Sequence, residues 1–304
     1  MTETWTILKL LQWTAEYFQS RGIESARLDA ELILAHALGL SRIQLYTQFD
    51  RPLNSEELQK VKGLVKRRAQ REPLAYLLGS KEFYSLEFKV SPAVLIPRPE
   101  TELLVEEGIR LLQNPTIPPF SKGGQGGFEI LDIGTGSGCI AVALAKHLAE
   151  AQTWAVDASQ AALEIAAENA RKHGVEGRIH FLAWDVLNGD WKGPAEPFDL
   201  IVTNPPYVSS TILPRLAPEL QFEPKMALEA GPKGLDLYPA ILGFAFSHLK
   251  PGGWLLAEMG EEQGGDLLEI SRQKGFASVD ILKDLAGKPR VLRAKRPFDS
   301  PIDF

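Results

Sequence analysis

Two periodicities divide the chain. Up to residue 80 the apolar positions recur at helical spacing. "ARLDAELILAHALGL" places Leu28, Leu32, Ala35 and Leu38 at i, i+4, i+7 and i+10 and runs into Gly39, which predicts an amphipathic helix with that row turned inward. "NSEELQKVKGLVKRRAQR" predicts another, with Asn54 or Ser55 as N-cap and Pro73 beyond its end. "FYSLEFKVSPAVLIPRPETELLVEEGIRLL" then predicts two short strands, a proline-bounded turn and a helix from about Thr101. The Pro- and Gly-rich "NPTIPPFSKGGQGGFE" predicts a loop.

From residue 129 short apolar runs alternate with helical segments. "EILDI", "TWAVD", "RIHFLAWD", "FDLIVT" and "GGWLLAE" read as buried strands, and "ASVDILKDL" and "KPRVLRAKR" as two closing ones. Between them lie helical stretches such as "CIAVALAKHLAEA" and "QAALEIAAENARKHG", the latter ended by Gly174. The alternation predicts an α/β fold, a doubly wound, mainly parallel seven-stranded sheet. The predicted organisation is a small all-helical N-terminal domain (1–80), a β-hairpin and helix connector with the Pro/Gly-rich loop (81–128), and an α/β domain (129–304).

Composition changes this picture little. Of 304 residues, 44% are hydrophobic and 24% charged, as in ordinary globular proteins. No apolar run reaches the ~20 residues of a membrane span, and the N-terminus has no basic segment followed by an apolar one. Cys139 is the one cysteine, so no internal disulfide forms, and the expected setting is the cytosol. The five histidines are scattered, so no metal site is expected. The net charge of −6 divides into +2 over residues 1–80 and −8 over the rest, without the basic face of a nucleic-acid enzyme. The basic run Lys60, Lys62, Lys66, Arg67, Arg68 and Arg71 reads as a solvated helix face, with contact to a phosphate-bearing partner as the alternative.

Candidate chemistry lies at the ends of the predicted strands. In "DIGTGSG", Gly134, Thr135, Gly136, Ser137 and Gly138 follow a strand and open a helix. Glycines there allow a tight turn and close approach of backbone to a ligand, although a plain tight turn would read the same. Cys139 occupies the last glycine position of a dinucleotide fingerprint, which argues against NAD. Asp157 ends the next strand, where an acid can bind both ribose hydroxyls or cap a helix. Asp185 ends the third, where it can accept from an adenine amine with Val186 as apolar cover, or simply form a turn. Together these describe an adenosine pocket without a pyrophosphate cradle, which fits S-adenosylmethionine.

The fourth strand ends in Asn204-Pro205-Pro206-Tyr207. Two prolines cannot donate to a sheet ladder, so this corner offers acceptors: the carbonyls and Asn204 Oδ1. Its natural guest is a planar NH₂ group with two protons to donate and a delocalised lone pair. Tyr207 is placed to pack on that plane.

"NPPY" after a fourth strand, with "DIGTGSG" upstream, resembles the methyltransferases that act on planar nitrogen. "FYSLEFKVSPAVLIPRPETELLVE" (83–106), "NPPYV" (204–208), "EPKMALEAGPKGLDLY" (223–238) and "DLAGKPRVL" (284–292) narrow the resemblance to the HemK-type release-factor glutamine methyltransferases, over nearly the whole chain. The resemblance implies the class I S-adenosylmethionine-dependent methyltransferase fold and a substrate-recognising N-terminal domain. It implies a glutamine substrate in the Gly-Gly-Gln loop of class 1 peptide chain release factors, with no direct nucleic-acid or membrane partner. It would assign the cofactor to Gly134–Gly138, Asp157, Asp185, Val186 and Asn204. It would assign the glutamine amide to Asn204, Pro205, Pro206 and Tyr207. "IPRPETE", with Arg98 and Glu100, would form a wall near the site. Val186 stands where relatives often carry an aromatic. The rivals are methylation of a ribosomal-protein glutamine, which would use the same corner, and of adenine N6 in DNA, which would need a basic cleft. Gly123-Gly124-Gln125 repeats the tripeptide that the family methylates; it is read as part of a low-complexity insertion.

Overall fold

The computed structural model describes residues 4–113 and 127–299. The loop predicted at 114–128, with Gln125, therefore lies almost wholly outside the described residues. One compact unit is Met1–Ser80 with Ala217–Phe222; the other is Lys81–Leu216 with Glu223–Phe304.

The first unit holds α1 (Ile7–Ser20), α2 (Ala26–Leu38), α3 (Arg42–Thr47), α4 (Ser55–Ala69) and α5 (Leu74–Leu78). Ser41 and Asn54 cap α3 and α4 in capping boxes with Gln44 and Glu57, which satisfies backbone donors that a helix start leaves free. Ile7, Leu11, Phe18, Ile33, Leu34 and Leu45 form its core.

Helix α2 lies where predicted but shows a different face. Leu28 is exposed, while Asp29, Ala30, Glu31, Ile33, Leu34 and Ala35 are buried. The reason is charge pairing. Arg68 Nε donates to Asp29 Oδ2 at 2.7 Å. Glu31 accepts from Arg27, Arg42 and Tyr46. Burial alone would raise the Glu31 carboxyl, but those three donors bring it down to about 2. Paired this way, two acids sit inside where a hydropathy pattern puts only apolar residues.

The basic run of α4 is likewise not one solvated face. Arg68 is buried and also meets Glu219, as does Arg71. Arg67 pairs with Glu72 and Lys60 with Glu56.

The second unit begins at Lys81, within the hairpin of β1 (Ser80–Phe83) and β2 (Leu86–Lys89), and continues to α6 (Glu102–Gln113). Its sheet uses β3 (Glu129–Ile133), β4 (Gln152–Asp157), β5 (Ile179–Ala183), β6 (Phe198–Thr203), β7 (Leu249–Glu258), β8 (Ser278–Lys283) and β9 (Pro289–Lys295). The helices between are α7 (Cys139–His147), α8 (Gln160–Lys172), α9 (Tyr238–His248) and α10 (Gly264–Gln273).

The seven strands run in the order β5-β4-β3-β6-β7-β9-β8. Neighbours from β5 to β7 are parallel, and β9 is antiparallel to both its neighbours. This is the expected mainly parallel, doubly wound sheet. Strand β6 is buried along its whole length, the signature of a parallel strand covered on both faces. Its alternate residues serve two cores: Leu200 and Val202 join Leu144 and Leu256, while Ile201 joins Leu131, Leu255 and Leu242.

The strand order reverses between β3 and β6. In open α/β sheets the crevice beyond the strand ends at such a switch point is where ligands bind. Ile133 pairs with Thr203 across that point, and the Thr203 hydroxyl donates to the Ile133 carbonyl at 2.7 Å. The next residues of the two strands, Gly134 and Asn204, are thereby fixed side by side.

Candidate active site

A cavity of about 350 Å³ opens at this end of the sheet. Gly134, Thr135, Gly136, Ser137, Asp157, Asp185, Val186, Asn204, Pro205 and Pro206 all line it. Gly138 and Tyr207 stand outside that lining.

The glycine turn is built by backbone geometry. Gly134, Gly136 and Gly138 have φ of 71°, 56° and 79°, values that suit residues without Cβ. The Gly134 and Thr135 N–H groups both donate to the Val156 carbonyl, at 2.8 and 2.9 Å, which ties the turn to β4. A Cβ on Gly134 would have no neighbour within 4 Å, and one on Gly136 would meet only the Gly134 carbonyl, at 4.0 Å. A Cβ on Gly138 would press on Ala166 at 3.0 Å. The first two glycines leave room in the cavity; the third lets α8 approach.

Asp157 ends β4 with both oxygens engaged. Oδ2 accepts from the Gly136 N–H at 2.9 Å and Oδ1 from the Ser159 N–H at 2.8 Å. Burial raises its pKa, against the lowering effect of those donors. Each oxygen keeps a further lone pair for a ligand hydroxyl. Asp185 is both turn former and cavity wall: Oδ1 accepts from the Leu187 N–H and Oδ2 from Asn188 Nδ2, at 2.9 and 3.1 Å. Among the described residues of the lining, Asp157, Asp185 and Glu229 are acidic and none is Lys, Arg or His. That wall suits a cationic adenosine ligand and opposes a pyrophosphate.

At the far wall Asn204 Nδ2 donates to Thr101 Oγ1 at 3.1 Å. Thr101 donates in turn to Glu258 Oε2 at 2.6 Å, and Tyr207 Oη to Glu258 Oε1 at 3.1 Å. Tyr238 Oη donates to the Glu258 carbonyl at 2.7 Å. Glu258 is only 1% exposed. Burial raises its pKa, offset in part by Thr101, Tyr207 and the charge of Arg290. Burial beside Glu258 also raises the Tyr207 phenol. Tyr207, expected to cover a planar guest, thus points its hydroxyl at Glu258.

The "IPRPETE" segment gives the cavity Pro97 and Thr101. Arg98 pairs with buried Glu223, whose Oε2 also accepts the Ile96 N–H at 3.1 Å. That clamp holds the stretch carrying Pro224, Met226 and Ala227, which also line the cavity. Gln263 Nε2 donates to the Tyr207 and Gly234 carbonyls at 3.0 and 2.9 Å and fixes the chain after Pro206.

None of Thr101, Glu258, Glu223 and Gln263 is singled out for a role by the sequence: Thr101 and Glu223 lie inside the segments "IPRPETE" and "EPKMALEAGPKGLDLY" without a role read from them, and Glu258 and Gln263 lie outside every quoted motif. Asp132, the first residue of "DIGTGSG" and likewise given no role from the sequence, is fully buried and accepts from Thr135 Oγ1 at 2.7 Å and the Ala141 N–H at 3.2 Å. Burial lifts its carboxyl to about 7.

Residues 9–79 match the family model of the PrmC N-terminal domain, and residues 117–231 that of the Methyltransferase small domain. A release factor glutamine methyltransferase of Geobacter sulfurreducens is 44% identical over 293 residues, 95% of this chain and 96% of that protein. One of Rhodopirellula baltica is 40% identical over 294 residues, 96% of this chain and 97% of that protein. A crystallised methyltransferase from Pyrococcus furiosus shares the fold, with a TM-score of 0.51 at 19% identity over 77% of this chain and 99% of that one. With such identity along nearly its full length, the chain belongs to the release factor glutamine methyltransferase family.

Proposed function

We propose that this enzyme transfers a methyl group from S-adenosylmethionine to the side-chain amide nitrogen of the glutamine in the Gly-Gly-Gln loop of class 1 peptide chain release factors. The observation that carries the reading is one cavity lined both by the Gly134–Gly136 turn with Asp157 and by Asn204 with Pro205.

The residues fit the cofactor. The Gly134–Gly138 turn leaves open space beside backbone, Asp157 offers a lone pair on each oxygen, and Asp185 with Val186 closes the adenine end. When bound, the cofactor supplies an electrophilic methyl on a sulfonium, and the acidic lining suits that charge.

A carboxamide nitrogen is a weak nucleophile because its lone pair is delocalised into the carbonyl. Asn204 Oδ1 and the Pro205 carbonyl can accept its two N–H groups. Bonding both turns the nitrogen toward the methyl and favours a pyramidal, electron-rich form. This is positioning and electrostatics. Once methylated, the nitrogen's proton is acidic and passes to water without a strong base. Pro206 stiffens the corner, and Tyr207 braces it through Glu258.

The helical unit is read as the part that recognises the release factor. Ile43 and Tyr46 are exposed one turn apart on α3 and so share a face, and Phe49 is exposed just past its end. An apolar strip of that kind suits a protein partner. Among the described residues no helix is long and apolar enough to cross a membrane, and the substrate puts the enzyme in the cytoplasm.

The test is to incubate the enzyme with labelled cofactor and, separately, release factors, ribosomal proteins and DNA. Label should enter release factor and vanish when its loop glutamine is replaced. Label persisting in the substituted protein would refute the glutamine assignment.

A further inference from the structure

Thr101 has one proton, and it goes to Glu258 Oε2 at 2.6 Å. An ionised carboxylate accepts and cannot donate. The other oxygen of Glu258 is taken by Tyr207, at 3.1 Å. With its proton committed, Thr101 Oγ1 has only lone pairs to offer Asn204, 3.1 Å away. An amide can meet a lone pair only with its nitrogen end, so Oδ1 is the end left for the cavity that Asn204 and Thr101 both line. If the amide were reversed, two donors would face each other at the substrate nitrogen.

We propose that Glu258 and Thr101 are positioning residues for methyl transfer: they hold the Asn204 amide with Oδ1, and not Nδ2, toward the substrate nitrogen. The proposal rests on the reading of Asn204 as acceptor for the glutamine amide. It explains why a carboxylate is buried here at all. An ion buried away from water is costly, and a glutamine could make as many hydrogen bonds. Glutamine, however, could donate to Thr101, which would then donate to Asn204 and reverse it. Only an obligate acceptor fixes the direction of every proton in the row. Asn204 comes from the end of β6, Glu258 from the end of the adjacent β7, and Thr101 from the turn entering α6. Two of the three groups are thus set by the register of paired strands, Thr203 with Ala257.

Three variants test this. Thr101→Val removes the acceptor for Nδ2 and should lower the single-turnover rate on release factor about 10²-fold, the scale of losing one preorganised polar contact, with cofactor affinity by calorimetry little changed. Thr101→Ser keeps the hydroxyl and should recover most of that rate. Glu258→Gln keeps size but no longer dictates the direction of the Thr101 proton. It should lower the rate without lowering the thermal midpoint, since a buried charge is removed. A Thr101→Val rate close to the parent's would overturn the proposal. So would a Glu258→Gln loss matched by falls in midpoint and cofactor affinity, which marks mere structural support. A substrate-free reading separates this inference from the substrate assignment. In protein carrying ¹⁵N-asparagine, the Asn204 side-chain amide, assigned by its loss in Asn204→Ala, should exchange slowly in the parent and fast in Thr101→Val. If the parent labels no release factor, the substrate assignment falls while slow exchange still supports the orientation; fast exchange in the parent sinks the orientation whatever the substrate.

Discussion

The backbone N–H of Gly136 donates to Asp157 Oδ2 at 2.9 Å. One bond thus joins the glycine turn after β3 to the acid that ends β4. The two are complementary halves of one wall: the turn supplies space, and its amide orients the carboxylate that borders that space.

Substitutions at Gly136 and Gly138 should therefore fail differently. At Gly136 a side chain meets a φ of 56° and otherwise open cavity. Gly136→Val should fold at a cost of about 1–2 kcal/mol for the left-handed backbone and lose cofactor binding. Gly138→Val would drive into Ala166 and should lower the thermal midpoint far more. Thermal melts with calorimetry on both variants separate the two. Equal cofactor affinity in Gly136→Val and the parent would refute the pocket.

On the proposed reading, Asn204→Ala removes the acceptor for the reacting amide. Loss of one such preorganised group costs roughly 10²–10³ in rate. Turnover on release factor should fall by that order while cofactor affinity, on the proposed reading set mainly by the glycine turn and Asp157, changes much less. Near-parental turnover would discard the amide clamp.

Much of this was legible in the sequence because the informative residues were local. The inner strands of the sheet contain short apolar runs, Ser159 and Asn54 cap the helices that follow them, and the cavity-lining acids Asp157 and Asp185 stand at or just past strand ends. What could not be read is long-range. Glu258 is 157 positions from Thr101 and looks like the polar end of "WLLAE"; only the pairing of β6 with β7 brings it to Asn204. The insertion of β9 between β7 and β8 reverses the order of the last two strands, which no local pattern encodes. Helix α2 misled because hydropathy cannot tell a solvated acid from one buried on an arginine.

That arginine gives a test on stability. Arg68 Nε lies 2.7 Å from Asp29 Oδ2, with both side chains under 10% exposed. Removing one partner of a buried pair leaves the other charge unmatched and costs about 3–5 kcal/mol. Arg68→Ala should make the helical unit open first in hydrogen exchange, whereas the double change Asp29→Leu with Arg68→Met should recover much of the loss. A single variant as protected as the parent would show that Ser25 Oγ, which donates to Asp29 Oδ1 at 2.7 Å, and solvent suffice for the Asp29 carboxylate.

Asp132 should leave a mark on the pH dependence of stability. Burial lifts its carboxyl from an ordinary value of 3.8 to about 7, and Oδ1 finds no hydrogen-bond partner. The folded state therefore holds this proton more tightly than the unfolded chain does. The resulting stabilisation is complete below pH 3.8 and is lost as pH rises to about 7, beyond which it changes no further. Asp132→Asn cannot ionise. Apart from Asp157 and Cys139, which interact with the Asp132 charge, the two proteins share their other titrations, so the difference between their thermal midpoints chiefly reports this group. Measured without cofactor, the variant should gain on the parent steadily from pH 4 to 7 and hold a constant offset above that, whatever its absolute stability. A difference flat across the whole range would mean that the carboxyl titrates alike in folded and unfolded chains, and that desolvation beneath the glycine turn does not hold its proton.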